Sequence, residues 1–150
     1  MRYKIEIRPL ETSHLKTVYE MGRETIEPRS LASFDWTPEM LAKAYAKNEN
    51  LQLGAFIKKK PVGYLIALQL EQDGPVKILG IGIAEDFRNK NHNKDNEEIE
   101  LKMLAQLIQS TKGVNDIVVA IPNENESLCS VFEKIGFTAS RLTTEMRKIF

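Results

Sequence analysis

The chain of 150 residues contains only one cysteine, Cys129, and has no net charge, because 21 basic residues balance 21 acidic ones. A single cysteine excludes a disulfide framework and any zinc site built from several cysteines. The zero net charge argues against nucleic acid as the main partner, since nucleic-acid-binding domains usually carry a basic excess. No apolar run approaches the roughly 18 residues of a membrane span, and the segment from Met1 to Ile7 lacks the core of a signal peptide. We therefore expect a cytoplasmic protein that binds neither nucleic acid nor membrane.

The chain also lacks internal repeats, low-complexity tracts and any linker rich in proline, glycine or serine. Its length fits a single domain spanning 1–150. A domain of this size buries about 70% of the surface that its unfolded chain exposes, which is enough for a core without disulfides or a structural metal.

Hydrophobic periodicity predicts the elements of the first half. Residues 4–8 alternate with period two and predict a strand. Thr12 and Ser13 are candidate N-caps of a first helix, and Thr37 followed by Pro38 predicts a second helix that runs to about Asn48. Three strands then form an antiparallel meander: Leu51 to Ile57, Val62 to Leu70 and Val76 to Ile83.

The second half returns to helical periodicity over 97–110, ended by Gly113. The apolar run from Ile117 to Ile121 predicts a buried strand. A short helix follows from Leu128 to Ile135, and the tail of 137–150 can supply one or two more strands. This order predicts an α+β (mixed α/β) fold, with a central, mostly antiparallel sheet flanked by about four helices.

Three segments of this order carry a family resemblance. Ile7-Arg8-Pro9-Leu10 leads into a helix, 81–88 (Ile-Gly-Ile-Ala-Glu-Asp-Phe-Arg) ends a strand in a turn, and 125–137 (Asn-Glu-Ser-Leu-Cys-Ser-Val-Phe-Glu-Lys-Ile-Gly-Phe) forms a short helix. The last segment closely resembles the Asn-x-x-Ala-x-x-Leu-Tyr-Glu-Lys-x-Gly-Phe motif of the GCN5-related N-acetyltransferase (GNAT) family. The resemblance covers almost the whole chain.

The resemblance implies transfer of an acetyl group from acetyl-CoA to a primary amine, carried by a small molecule or a peptide. The strand that ends at Ile83 would splay from the strand at 117–121, with the pantetheine arm in the gap. The backbone of Ile81, Gly82 and Ile83 would hold the arm and the acetyl carbonyl. Asn125 would touch the pantetheine, and Phe132 would pack against its thioethyl end. The diphosphate would lie over six residues: Arg88, Asn89, Lys90, Asn91, His92 and Asn93.

The phosphate loop departs from the family pattern. Asn91 and Asn93 occupy its two glycine positions, and residues 86–100 carry a net charge of −2. Two arrangements are open. In one, Asp95 caps a helix with Glu98 at N3, so that carboxylates stand where a phosphate would bind. In the other, Arg88 to Asn93 cradle the phosphates, and the acidic side chains, Glu97 among them, turn outward as a solvated helix start.

Both usual catalytic positions also differ. Phe132 stands where many family members have a tyrosine that acts as general acid, and Ala120 where many have a glutamate that acts as base. Glu85 is a candidate substitute base, and no catalytic residue is assigned. The alternative function is therefore a non-catalytic GNAT-fold module that binds a ligand or a protein and has lost acetyl-CoA chemistry.

The remaining reactive or aromatic side chains have simpler interpretations. We expect Cys129 to be a buried structural thiol and His14 and His92 to bind no metal. The three lysines at 58–60 predict a solvated hairpin turn. Trp36, Phe34 and Tyr45 are expected to pack the second helix, with a role in the acceptor pocket as the alternative. Gly80 and Gly82 indicate a bulge or a close backbone approach. An exposed edge strand near the carboxyl end could support a homodimer.

Overall fold

The computed structural model describes residues 4–25, 36–111, 113, 116–121 and 126–138. The strands of this part are Glu6–Pro9 (β1), Leu53–Ile57 (β2), Lys60–Leu68 (β3), Val76–Ile83 (β4) and Ile117–Val119 (β5). The α-helices are Leu15–Thr25 (α1), Pro38–Lys47 (α2), Glu85–Lys90 (α3), Asn93–Ser110 (α4) and Glu126–Lys134 (α5). Short 3-10 turns, Thr12–His14 and Glu49–Leu51, precede α1 and β2. No helix of the described part is long and apolar enough to cross a bilayer.

The strands form one sheet in the order β1-β2-β3-β4-β5. The first four pair antiparallel, and β5 pairs parallel to β4. Nearly every residue of β4 is buried, so both faces of the sheet are covered there. Helices α1 and α2 contact β3, while α4 contacts β1 to β4. The predicted α+β fold with a mostly antiparallel sheet is confirmed.

The start of α2 has the predicted chemistry. Thr37 is the N-cap, its hydroxyl accepts a hydrogen bond of 3.1 Å from the Met40 amide, and Pro38 opens the helix. The start of α1 differs from the prediction. Glu11 rather than Thr12 or Ser13 caps the preceding 3-10 turn, and the Glu11 amide donates to His14 Nδ1 at 2.9 Å. The spacing of apolar residues fixes the face of a helix, whereas the cap depends on which local side chain reaches the backbone.

The described part of the structure has five α-helices, whereas about four were predicted. The difference is α3, which the sequence periodicity did not indicate. Phe87 is the only buried residue of this six-residue helix, which is too short to show an apolar face. The predicted helix of 97–110 begins earlier, at Asn93. Its first two turns are polar, so apolar spacing indicates it only from Ile99 onward. The strands predicted in the tail lie largely in 139–150, outside the described residues.

Two aromatic contacts hold the amino-terminal half together. The Arg8 guanidinium lies over the Phe56 ring, 4.2 Å from its centroid, and donates to the Lys58 carbonyl of the β2–β3 turn. Trp36 is buried 5.6 Å from the Tyr64 ring and donates to the Tyr19 carbonyl. Trp36 therefore packs in the core, as expected. Phe34 lies outside the described residues.

Candidate active site

The pairing of β4 with β5 ends halfway along β4. The parallel ladder joins Val76, Lys77 and Ile78 to the three residues of β5. From Leu79 onward, β4 continues to Ile83 without a β5 partner in the described part of the chain, while its other edge stays paired with β3. One edge of β4 is thus released from the sheet over its last five residues.

A β-bulge marks the point where the two strands separate. Ile66 of β3 faces Gly80, but the next residue, Ala67, faces Ile78, so Leu79 is the extra residue of β4. A bulge bends its strand and increases the local twist, which turns β4 away from its neighbour. The bulge that Gly80 and Gly82 indicated is confirmed.

The released edge presents backbone groups of Ile81 and Ile83. The Ala84 amide donates to Val62 of β3 at 2.8 Å, and a Cβ placed on Gly63 would lie 3.1 Å from the Gly82 carbonyl oxygen. Because successive residues of a strand direct their polar groups to opposite edges, Ile81 and Ile83 direct theirs away from β3. Both isoleucines are buried, Ile81 with 4% exposure. The predicted residues Ile81, Gly82 and Ile83 therefore lie on the separated segment.

A buried amide side chain, Gln52, holds the strand opposite the bulge. Its Oε1 accepts from the Ala67 amide at 2.9 Å, and its Nε2 donates to the carbonyls of Ala67, Asn48 and Ala44 at 2.7, 2.9 and 3.2 Å. Backbone pairing of β2 with β3 ends at Leu53 and Leu65, so this side chain replaces the next backbone partner. Sequence analysis missed Gln52, because nothing in the strand pattern distinguishes it from a solvent-facing glutamine.

The predicted phosphate loop is largely helical. Arg88, Asn89 and Lys90 belong to α3, and only Asn91 and His92 separate α3 from α4. The Asn91 side-chain amide donates to the Phe87 carbonyl at 2.7 Å. Asn91 therefore caps the end of α3 with its backbone and its side chain.

Asn96 provides a second link between the two helices. It is 6% exposed, and its Nδ2 donates to the Arg88 carbonyl at 3.2 Å. Its Oδ1 is buried without a hydrogen-bond partner in the described part of the chain. The sequence analysis missed Asn96, because it is one of several polar residues in a charged segment.

The start of α4 differs from the first predicted arrangement in its N-cap. His92 is its N-cap and makes no side-chain cap hydrogen bond, so the prediction of Asp95 as N-cap is wrong. The Asp95 amide donates to the His92 carbonyl at 3.0 Å. The amides of Asn93 and Lys94 come first in the helix and have no intrahelical partner. Asp95 still places one carboxylate in the first turn.

Two further acidic residues of this helix form ion pairs with lysines. Glu97 forms an ion pair with Lys134 of α5, and Glu98 pairs with Lys102 one turn along α4, at 3.5 Å. These two lysines offset the excess of two negative charges in residues 86–100. Glu97 and Glu98 are therefore paired with lysines, while the cradle of Arg88 to Asn93 stays a prediction.

The two positions at which the resembling family usually has an acid and a base hold neither, and the candidate base Glu85 lies apart at the start of α3. Phe132 is 2% exposed and meets the Phe137 ring edge-on, 4.9 Å between centroids. Ala120 is exposed just after β5, and Glu85 is exposed at the start of α3. Cys129 is half-buried, not buried as expected. Asn125, the predicted pantetheine contact, lies outside the described residues.

Within the described part of the chain, no three His, Cys, Asp or Glu side chains come together as a metal-binding group.

The fold is similar to that of several solved structures, two of which contain CoA or acetyl-CoA. A putative acetyltransferase from Salmonella typhimurium, solved with its cofactor acetyl-CoA, matches with a TM-score of 0.69 and 14% identity over 90% of this chain and 80% of that one. The NatC complex bound to Gag peptide and CoA matches with a TM-score of 0.70 and 14% identity, over 92% and 87% of the two chains. A transcriptional regulator from Bacillus halodurans matches with a TM-score of 0.68 and 18% identity, over 98% and 99%.

No protein-family model and no curated protein matches the chain by sequence. The structural matches confirm the fold predicted from the three motif-like segments, which is that of the GNAT acetyltransferases. Identities of 14–18% show the fold, while the acceptor and the chemistry must be argued from the residues of this chain.

Proposed function

We propose that the chain is an acetyl-CoA-dependent N-acetyltransferase that acetylates a primary amine on a small molecule or a peptide. The observation that carries this proposal is the released edge of β4 after the bulge at Leu79. A sheet that separates two adjacent parallel strands exposes backbone donors and acceptors, which must find other partners. The pantetheine arm contains two amide groups and can pair with such an edge as a strand would.

The released edge can also stabilise the reaction. The amides of Ile81 and Ile83 face away from β3, and both residues are buried. An N–H group held in such a place stabilises the negative charge that develops on the acetyl carbonyl oxygen, at no cost of reorganisation during the reaction. This supports the predicted roles of Ile81, Gly82 and Ile83 through their backbone.

The diphosphate of the cofactor would lie at the start of α4. The amides of Asn93 and Lys94 and the helix dipole favour an anion there. Arg88 and Lys90 from the end of α3 add positive charge nearby, while Asn89, Asn91 and His92 contribute the adjoining surface. The lysines paired with Glu97 and Glu98 offset the net negative charge of residues 86–100, which would otherwise repel a diphosphate.

The chemistry would depend on positioning. The neutral acceptor amine attacks the thioester carbonyl carbon, the carbon–sulfur bond breaks, and the thiolate takes up, through water, the proton that the amine loses. Orientation of two reactants can lower a barrier by about 7–11 kcal/mol. The general acid and base absent at Phe132 and Ala120 would contribute about 10²- to 10⁴-fold. We therefore expect a slow enzyme whose rate rises with pH as the acceptor amine loses its proton.

Calorimetric titration with acetyl-CoA, followed by mass spectrometry of a mixture of small amines and peptides, tests the proposal. We expect saturable binding of acetyl-CoA and a mass increase of one acetyl group on an amine. The variant Cys129→Ser is the matched control. Because the amine attacks the thioester directly, this variant should acetylate at an unchanged rate, and loss of activity would instead indicate transfer through the thiol.

The second candidate is the non-catalytic module. Phe132, buried against Phe137 where a proton donor is expected, favours it. Absence of heat and of thermal stabilisation at millimolar acetyl-CoA would establish this candidate and contradict the enzyme. Binding of acetyl-CoA with no acetylated product from any amine would leave a cofactor-binding protein without transfer.

A further inference from the structure

A groove runs along α2 beside the ends of β3 and β4. Its volume is about 390 Å³, within the range of ordinary ligand sites. The lining residues are Met40, Lys43, Ala44, Lys47, Leu68, Leu70 and Leu79. The four from α2 stand at positions i, i+3, i+4 and i+7 and so share one face of the helix.

The floor of the groove is aliphatic. Met40, Ala44, Leu68 and Leu79 are buried or half-buried, but Leu70 is 71% exposed. A leucine left this exposed beside other apolar side chains marks a surface at which apolar groups of a ligand can bind.

Two lysines border this floor. Lys43 and Lys47 are exposed and one helical turn apart, and the lining residues within the described ranges include no acidic side chain. Neither lysine forms an ion pair within the described part of the chain, whereas Lys102 and Lys134 do. Unpaired cations beside an apolar floor are complementary to a ligand that combines acidic and apolar groups.

The groove includes the first residue of the separated segment of β4. Leu79, which lines it, is also the extra residue of the bulge, two positions before Ile81. On the proposed function, an acceptor held in this groove would therefore approach the place where the acetyl group is held. We propose that the groove is the acceptor site and takes the amino-terminal segment of a peptide in which acidic side chains alternate with an apolar one.

The dimensions favour an extended peptide. The lining face of α2 spans Met40 to Lys47, about 10 Å at 1.5 Å per residue. An extended peptide rises about 3.3 Å per residue, so roughly three residues fit along it. Alternate side chains of such a peptide lie about 6.6 Å apart, close to the spacing of roughly 5–6 Å between residues four apart on a helix. An acidic side chain at every second position can thus meet Lys43 and Lys47, with the intervening side chain on the floor.

Fluorescence anisotropy without acetyl-CoA tests the groove independently of catalysis. The probe is a hexapeptide with a free amino terminus, alternating aspartate and leucine, and a fluorophore on its carboxyl end. We expect the double variant Lys43→Glu/Lys47→Glu to bind it roughly tenfold more weakly. The double variant Lys16→Glu/Lys59→Glu makes the same charge change at exposed lysines elsewhere and should bind like the unaltered chain.

Leu70→Ser is a second variant that does not depend on the lysines. Its side chain is largely exposed, so the fold should be unaffected, and we expect weaker binding of the same peptide. Binding should also weaken with salt, because exposed ion pairs are screened. Equal affinity of the unaltered chain and the Lys43→Glu/Lys47→Glu variant for the probe would overturn the proposal, as would equal affinity for a peptide carrying lysine in place of aspartate.

Titration with acetyl-CoA separates this proposal from the proposed function. If acetyl-CoA binds and the acidic peptide does not, the acceptor assignment is wrong and the transferase proposal stands. If the peptide binds with the expected lysine dependence and acetyl-CoA does not, the groove is a peptide site, and both the transferase proposal and its acceptor role are wrong.

Discussion

Two corners of the molecule differ in whether side chains form hydrogen bonds to their polar backbone groups. At the α2 corner (Thr37, Asn48 and Gln52), side chains satisfy the backbone. The Thr37 hydroxyl caps the helix start, Asn48 accepts from the Gln69 amide at 2.8 Å, and Gln52 bonds to both polar groups of Ala67. At the α4 start (His92 to Asn96), no side chain of the N-cap reaches the helix amides.

The comparison indicates which corner is structural and which can bind a ligand. A helix start closed by its own cap has no donors to offer, whereas an uncapped start keeps its first amides available to an anion. The side chains of the α2 corner are therefore structural, with Gln52 bonded to Ala67 of β3 opposite the bulge, and the first amides of α4 stay available. Substitutions at the two corners should accordingly differ in what they change.

Gln52→Leu should give the largest effect on stability. The substitution removes four hydrogen bonds of a side chain with no exposure and leaves the buried Ala67 amide without a partner. Since each buried polar group left unpaired costs about 1–3 kcal/mol, we expect the free energy of unfolding to fall by about 3 kcal/mol. Urea denaturation followed by circular dichroism measures this change.

Gln106→Leu is the control for the loss of a glutamine. Gln106 is exposed on α4, and its replacement should change the free energy of unfolding by less than about 0.5 kcal/mol. A Gln52→Leu variant as stable as Gln106→Leu would show that the sheet does not need the side chain beside the bulge.

The contrast between these glutamines shows which features cannot be predicted from the sequence. Periodicity placed β4 correctly from Val76 to Ile83, because its apolar residues are buried in the sheet along almost the whole strand. It could not distinguish Gln52 from Gln106, since the buried amide differs by its hydrogen bonds to the backbone of Ala44, Asn48 and Ala67, and Ala67 lies fifteen positions away along the chain. Contacts over such distances leave no local pattern.

The candidate site was predictable to a similar extent. The resemblance led to Ile81–Ile83 and to the α4 start, and the bulge was expected from Gly80 and Gly82. The helical state of Arg88–Lys90 was not, because α3 is short and has a single buried side chain. The cap of α4 was also assigned wrongly, since Asp95 is the better capping residue by composition and yet lies inside the helix.

Thr37→Ala should have a smaller effect, again confined to stability. Loss of the hydrogen bond from the Met40 amide to the Thr37 hydroxyl should lower the free energy of unfolding by about 1 kcal/mol. The affinity for acetyl-CoA should not change, because this helix start takes no part in the proposed site. Urea denaturation and calorimetric titration measure the two quantities, and a weakened affinity would indicate that the corners are coupled.

His92→Ser and His92→Asp should show the smallest change in stability, and of the opposite sign. Either side chain can cap α4, so the free energy of unfolding should rise by about 0.5–1 kcal/mol. His92→Asp also adds a negative charge at the amides proposed to bind the diphosphate and should weaken acetyl-CoA binding by about tenfold, whereas the uncharged serine should weaken it much less. Calorimetric titration separates the variants. If His92→Asp bound acetyl-CoA as tightly as His92→Ser, the diphosphate would have to bind elsewhere, and the open start of α4 would reflect only the lack of a capping side chain.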